Sequence, residues 1–149
     1  MRVVALSVLV LGLLAGTGVR SQEGGGDKEK IQGTWKIVSF EAFGMKEIPP
    51  EVLKESRMTI TADKISYKLG GEMGELGYKL DPSKQPKAID LLEKKGGKEI
   101  VIPGIYLLDG DNLKLCWDAN VGPRPKEFSK KGEGGQDLRL VILKRERKK

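Results

Sequence analysis

The chain has 149 residues, 27 Lys and Arg against 21 Asp and Glu for a formal net charge of +6, one cysteine and no histidine. The missing histidine excludes Ser-His-Asp and Cys-His nucleophiles, histidine-held haem and the usual zinc sites, and a lone Cys116 excludes a cysteine zinc cage and an internal disulfide. The charge excess sits at the two ends, in Arg2, Arg20 and the five basic residues of 144–149, so residues 22–143 are neutral and nucleic acid is not an expected partner.

Residues 1–21 read as a secretory signal. Arg2 is a minimal positive start, residues 3–14 are apolar, and Ala15-Gly16-Thr17-Gly18 offers small residues for cleavage. The apolar centre is short for a membrane span, so no stable membrane insertion is expected after cleavage. The expected setting is the periplasm, the cell envelope or the extracellular space. Residues 22–30, around Gly24-Gly25-Gly26, read as a flexible leader. Residues 31–145 suffice for one domain with one core, and 146–149 form a basic tail that reads as a solvated chain end.

Within the domain, residues 33–43 are rich in Trp, Ile, Val and Phe and predict a long first strand. Pro49-Pro50 predicts a single helical turn through Lys54. Met58 and Ile60, then Ile65, Tyr67 and Leu69, alternate with polar residues on either side of Ala62-Asp63-Lys64, as a hairpin does. Leu76, Tyr78 and Leu80 repeat the period of two. Residues 81–86 hold two prolines and predict a loop. Strands follow over 87–93 and 99–102, and Pro103-Gly104 predicts an interruption of the ladder, as at a bulge or corner.

Residues 104–117 form the clearest hairpin. A turn within Asp109-Gly110-Asp111-Asn112 puts Tyr106, Leu108, Leu113, Leu115 and Trp117 on one face, and Ile105, Leu107, Lys114, Cys116 and Asp118 on the other. Residues 138–143 close the chain as a last strand. About eight short strands and almost no helix predict an all-β fold, a small antiparallel up-and-down barrel in preference to an open sandwich.

No reaction is legible. The closest carboxylate pairs, Glu72/Glu75 and Asp109/Asp111, lie in or beside glycine-containing turns, where acids are solvated turn formers. The glycine pairs at 70–71 and 96–97 open no helix and cradle no phosphate. No catalytic residue, metal ligand or cofactor is assigned, and the protein is not read as an enzyme. Cys116 reads as a small buried residue, and a monomer is expected.

Several motifs agree in order with one family. Ile31-Gln32-Gly33-Thr34-Trp35 resembles the lipocalin Gly-x-Trp signature, with a basic residue closing the last strand. It is followed by Asp81-Pro82 through Leu91, by Gly104-Ile105-Tyr106 through Cys116, and by Gly122-Pro123-Arg124-Pro125 through Phe128. The whole mature chain thus resembles a short, exported, lipocalin-like domain of planctomycete bacteria, a family that carries no assigned reaction. The resemblance implies a lipocalin-like barrel in which Trp35 plugs one end and Arg145 or Arg139 lies over its ring.

The expected function is non-catalytic binding of a small apolar or amphipathic ligand. The alternative is a structural or interaction protein of the envelope with a filled barrel, since aromatic residues are only 5% of the chain and can build little of a large pocket. The candidate ligand residues are Arg124, Asp90 and Tyr106. Two prolines stiffen the support of Arg124, which would either pair with Asp90 or receive a ligand carboxylate or phosphate at the barrel rim.

Overall fold

A computed structural model describes residues 26–148. The signal reading over 1–21 and the start of the leader lie outside the described residues. A helical turn α1 (Asp27–Lys30) precedes β1 (Gly33–Ala42), and a second turn α2 (Pro50–Lys54) precedes β2 (Arg57–Ile60) and β3 (Lys64–Leu69). β4 (Glu72–Asp81), β5 (Ala88–Lys95), β6 (Lys98–Asp109), β7 (Asn112–Asp118) and β8 (Leu138–Arg145) complete the chain. Each strand pairs antiparallel with the next, and β8 returns to β1, closing an eight-stranded up-and-down barrel. Closure leaves no free sheet edge, which suits a domain that has no disulfide to hold it. Among the described residues no helix is long and apolar enough to cross a membrane.

The period of two sorts the side chains. On the β6–β7 hairpin Tyr106 pairs with Leu115 and Leu108 with Leu113, and all four face the lumen, as the hairpin pattern predicts. The opposite face is not solvent throughout. Ile105 and Cys116 are buried there with Leu138 and Leu140, because the connection over 119–137 folds back on the outer wall and lays Phe128 against them. The predicted interruption at Pro103 does not occur. β6 runs through it without a register shift, with Pro103 opposite Asp90 on β5 and one residue outside the stretch paired with β7. A proline is tolerated at that position because the second ladder has not yet begun.

One barrel end is packed shut. Trp35 is fully buried and its Nε1 donates to the Ile31 carbonyl at 2.9 Å. The Arg145 guanidinium lies over the indole, 4.2 Å from the ring centroid, and donates to the carbonyls of Gln32, at 2.7 Å, and Lys30. Gly33 makes this seat possible: its φ is +134°, and a Cβ there would stand 2.7 Å from the Arg145 Nη1. Arg139 lies at the other end of β8, so Arg145 is the residue that covers Trp35.

The end of the predicted flexible leader belongs to this plug. α1 docks on the barrel through Asp27, whose Oδ2 accepts from Lys87 Nζ and from the Tyr106 hydroxyl, each at 2.7 Å. Ile31, just after it, is fully buried. Sequence composition marked the glycines of this segment but not the buried partners that order its last turn.

Removing the indole is expected to open a large void under α1. Trp35→Ala should lower stability by about 3–5 kcal/mol in denaturant unfolding, a large fraction of what a small domain has. A midpoint within the error of the parent protein would show that the plug carries no such weight.

Candidate functional site

The lumen is not filled throughout. Toward the end opposite the plug it holds a cavity of about 280 Å³, walled by Ile37, Met58, Leu91, Ile102, Leu115 and Val141. Those residues are in phase along their strands, so every second position supplies wall. The apolar lining is what alternation requires, and the aromatic side chains of Phe40, Tyr67 and Trp117 line the cavity as well.

Two local irregularities shape the mouth. In β1 the pairing with β8 shifts between Ile37 and Ser39, a bulge that leaves Val38 unpaired. One extra residue reverses the phase, so Phe40 rather than Ser39 or Glu41 turns inward, opposite Val141. Phe40 then meets Trp117 edge to face, with ring centroids 6.4 Å apart and planes at 68°. The second irregularity is Gly74, opposite Tyr67 in the β3–β4 pair. A Cβ on Gly74 would fall 2.4 Å from the Tyr67 hydroxyl oxygen, so the glycine is the space in which the phenol ring lies.

Three charged side chains also line the cavity: Glu72 on β4, Glu93 on β5 and Arg139 on β8. In the ring of eight, β4, which carries the exposed Glu72, stands opposite β8, which carries Arg139. Arg139 is held in a two-point fork by Asp137, with Nη2 to Oδ2 at 3.0 Å and Nη1 to Oδ1. That hydrogen bonding keeps the Asp137 carboxyl below its ordinary range. Loops that follow the mouth strands expose Phe43, at 63%, and Val121, at 45%.

The three residues expected to form a ligand site are not brought together. Arg124 and Asp90 do pair, Nη2 to Oδ1 at 2.7 Å, but on the outer wall, because Ile89 and Leu91 take the inward positions flanking Asp90. Arg124 also donates through Nη1 to the carbonyls of Ile89 at 3.1 Å and Gly104 at 2.7 Å, which are cross-strand partners. Its guanidinium thus pins the 119–137 connection to β5 and β6. Tyr106 does face the lumen, yet it is buried at the plugged end and donates to Asp27. Burial and the Asp27 carboxylate both hold its hydroxyl protonated far above ordinary pH.

Cys116 lies beneath the same connection, its thiol donating to the Ser129 carbonyl at 3.4 Å. Burial pushes its thiol up, away from the reactive thiolate. Of the carboxylate pairs noted in the sequence, Glu75 is outward and paired with Lys64 at 3.0 Å, while Asp111 ties Arg145 and Arg147 at the plugged end.

Sequence reasoning missed Glu93, Arg139, Phe40 and Trp117 as neighbours at a mouth. A usable signal existed for two of them: Glu93 is in phase with Ile89 and Leu91, and Arg139 with Val141 and Leu143, so each is a charge at an inward position near a strand end. The chain matches no protein-family model, no curated protein and no solved structure.

Two outcomes test this arrangement. Arg124→Met removes three hydrogen bonds from a half-exposed guanidinium and should cost about 1–3 kcal/mol, with faster proteolysis within 119–137 and an unchanged lumen. Asp27 gives a pH signature. Burial works against its charged form, but the hydrogen bonds from Lys87 and Tyr106 overcome that and hold its carboxyl below the usual range. A carboxyl lowered on folding stabilises the fold above its unfolded value, about 3.9. That contribution is lost as pH falls through the folded value. Asp27→Asn should therefore melt below the parent protein at neutral pH, by about 1 kcal/mol, and the gap should close below about pH 4. A gap that persists at pH 2 would remove the carboxylate from the account.

Proposed function

We propose that the protein is a non-catalytic carrier or receptor for a small apolar or amphipathic molecule, held in the open half of the barrel. One observation carries this reading: the lumen is packed at one end and vacant at the other, with an apolar void of about 280 Å³ behind a polar mouth. Small-molecule sites are concave, mostly apolar and edged by a few polar groups. An apolar cavity of about 150 Å³ admits a benzene ring, so this one suits a ligand body of about a dozen non-hydrogen atoms. The resemblance to exported planctomycete lipocalin-like domains, and the envelope or extracellular setting that goes with it, belongs to the same proposal.

A second reading, an interaction protein of the envelope, draws support from Phe43 and Val121, which stand exposed on loops leaving the mouth. Large apolar side chains left in water are a feature of contact surfaces when they cluster. The two readings part on whether filling the lumen matters.

Leu76 lines the cavity and is only partly buried, so a larger ring can enter the void from its position. Leu76→Trp should fold with a stability change of about 1–3 kcal/mol at most and lose binding of 1-decanol measured by titration calorimetry. The parent protein should bind it with a negative heat-capacity change, the mark of apolar burial. Absence of binding to the parent would refute the carrier reading; equal binding to both proteins would place the alcohol outside the lumen.

A further inference from the structure

The charges around the cavity do not balance. Arg139 is the lining cation, and both of its terminal nitrogens are already engaged by the Asp137 carboxylate. A guanidinium in a two-point fork with a carboxylate has its charge offset, and three of its five N–H donors remain. The two lining carboxylates are not satisfied in the same way. Glu93 has Lys95 at 3.8 Å, on a lysine side chain 68% exposed, a pairing of little worth in water. Glu72 makes no ion pair among the described residues.

The two acids stand on neighbouring strands, β4 and β5, on one side of the opening. Across from them the mouth is aromatic, with Phe40 and Trp117 set edge to face, and a ring face attracts a cation. An anionic headgroup would meet two carboxylates and a guanidinium already neutralised. A cationic one would meet two carboxylates and ring faces.

Resting on the carrier reading, we infer that the ligand class is a cationic amphiphile, with a positively charged nitrogen at the mouth against Glu93 and Glu72 and its apolar body in the void. Asp137 has a defined part in this selectivity: by occupying Arg139 it suppresses anion binding. It acts as a positioning residue, through the guanidinium and not on the ligand.

The test uses three probes with one decyl tail: decyltrimethylammonium, 1-decanol and decanoate, each titrated by calorimetry at neutral pH and low salt. The ammonium should bind about tenfold tighter than the alcohol, the effect of one favourable charge contact at a partly desolvated site. Decanoate should bind weaker than the alcohol. Glu93→Gln should remove most of the ammonium's advantage over decanol. Asp137→Asn, which frees Arg139, should strengthen decanoate binding and leave decanol alone. Decanoate binding as tightly as the ammonium to the parent protein would overturn the inference and leave the carrier reading standing. So would an ammonium advantage that survives Glu93→Gln and Glu72→Gln together. Failure of the parent protein to bind 1-decanol would overturn the carrier reading itself.

Discussion

The seat of Trp35 under Arg145 is the contact on which the rest of the architecture depends. It joins the first strand to the last at the seam where the barrel closes, since Trp35 and Arg145 are direct partners in the β1–β8 pair. It also ties in the chain before β1, through carbonyls of Lys30, Ile31 and Gln32. Three requirements meet at one place: an indole to fill the barrel end, a cation to cover its face, and a glycine whose backbone leaves room for the guanidinium. Tyr78 and Tyr106 pack in the same core as the indole, while the cavity lies toward the other end, where Phe40, Tyr67 and Trp117 are among its lining.

The mouth owes its character to departures from regular pairing. A strict period of two through β1 would turn Ser39 and Glu41 inward, and the lumen would have met a polar strand. The bulge after Ile37 spends one residue to restore an apolar position at Phe40, and so creates the aromatic pair with Trp117. Gly74 performs the corresponding service on the far side, where the space of an absent side chain holds the Tyr67 ring. Both decide what a molecule at the opening would touch.

On the outer wall an arginine serves to hold a loop. Arg124 carries a charge on a stiff proline-flanked support, which is how recognition residues are often displayed. Here the stiffness serves a different end: it holds the guanidinium against two backbone carbonyls and Asp90, so that the 119–137 connection is clamped over a small apolar layer containing Ile105, Cys116 and Phe128. The same layer takes Cys116 out of contact with solvent, which accounts for a lone thiol that needs no chemical role. At the lumen the arginine that matters is Arg139, and its charge is held by a carboxylate two residues away.

Much of the fold was legible in the residues alone. Alternation over the strands, the turn at Gly110 and the prolines of 81–86 each act within a few residues, so the strand count, the hairpins and the inward face of Tyr106, Leu108, Leu113 and Leu115 follow from local chemistry. The buried indole of Trp35 was an expectation of the Gly-x-Trp resemblance. What sequence could not supply was the level at which residues from different strands meet. That depends on register, on one unpaired residue in β1 and on closure of β8 against β1, and each is decided by packing over long separations. Arg124 and Asp90 on the outside, Tyr106 at the plug, α1 docked through Asp27, and Glu93 with Arg139 at the opening are all consequences of that decision. A local period assigns each side chain to a face of its own strand, but only the closed barrel gives that face an inside, an outside and two unequal ends.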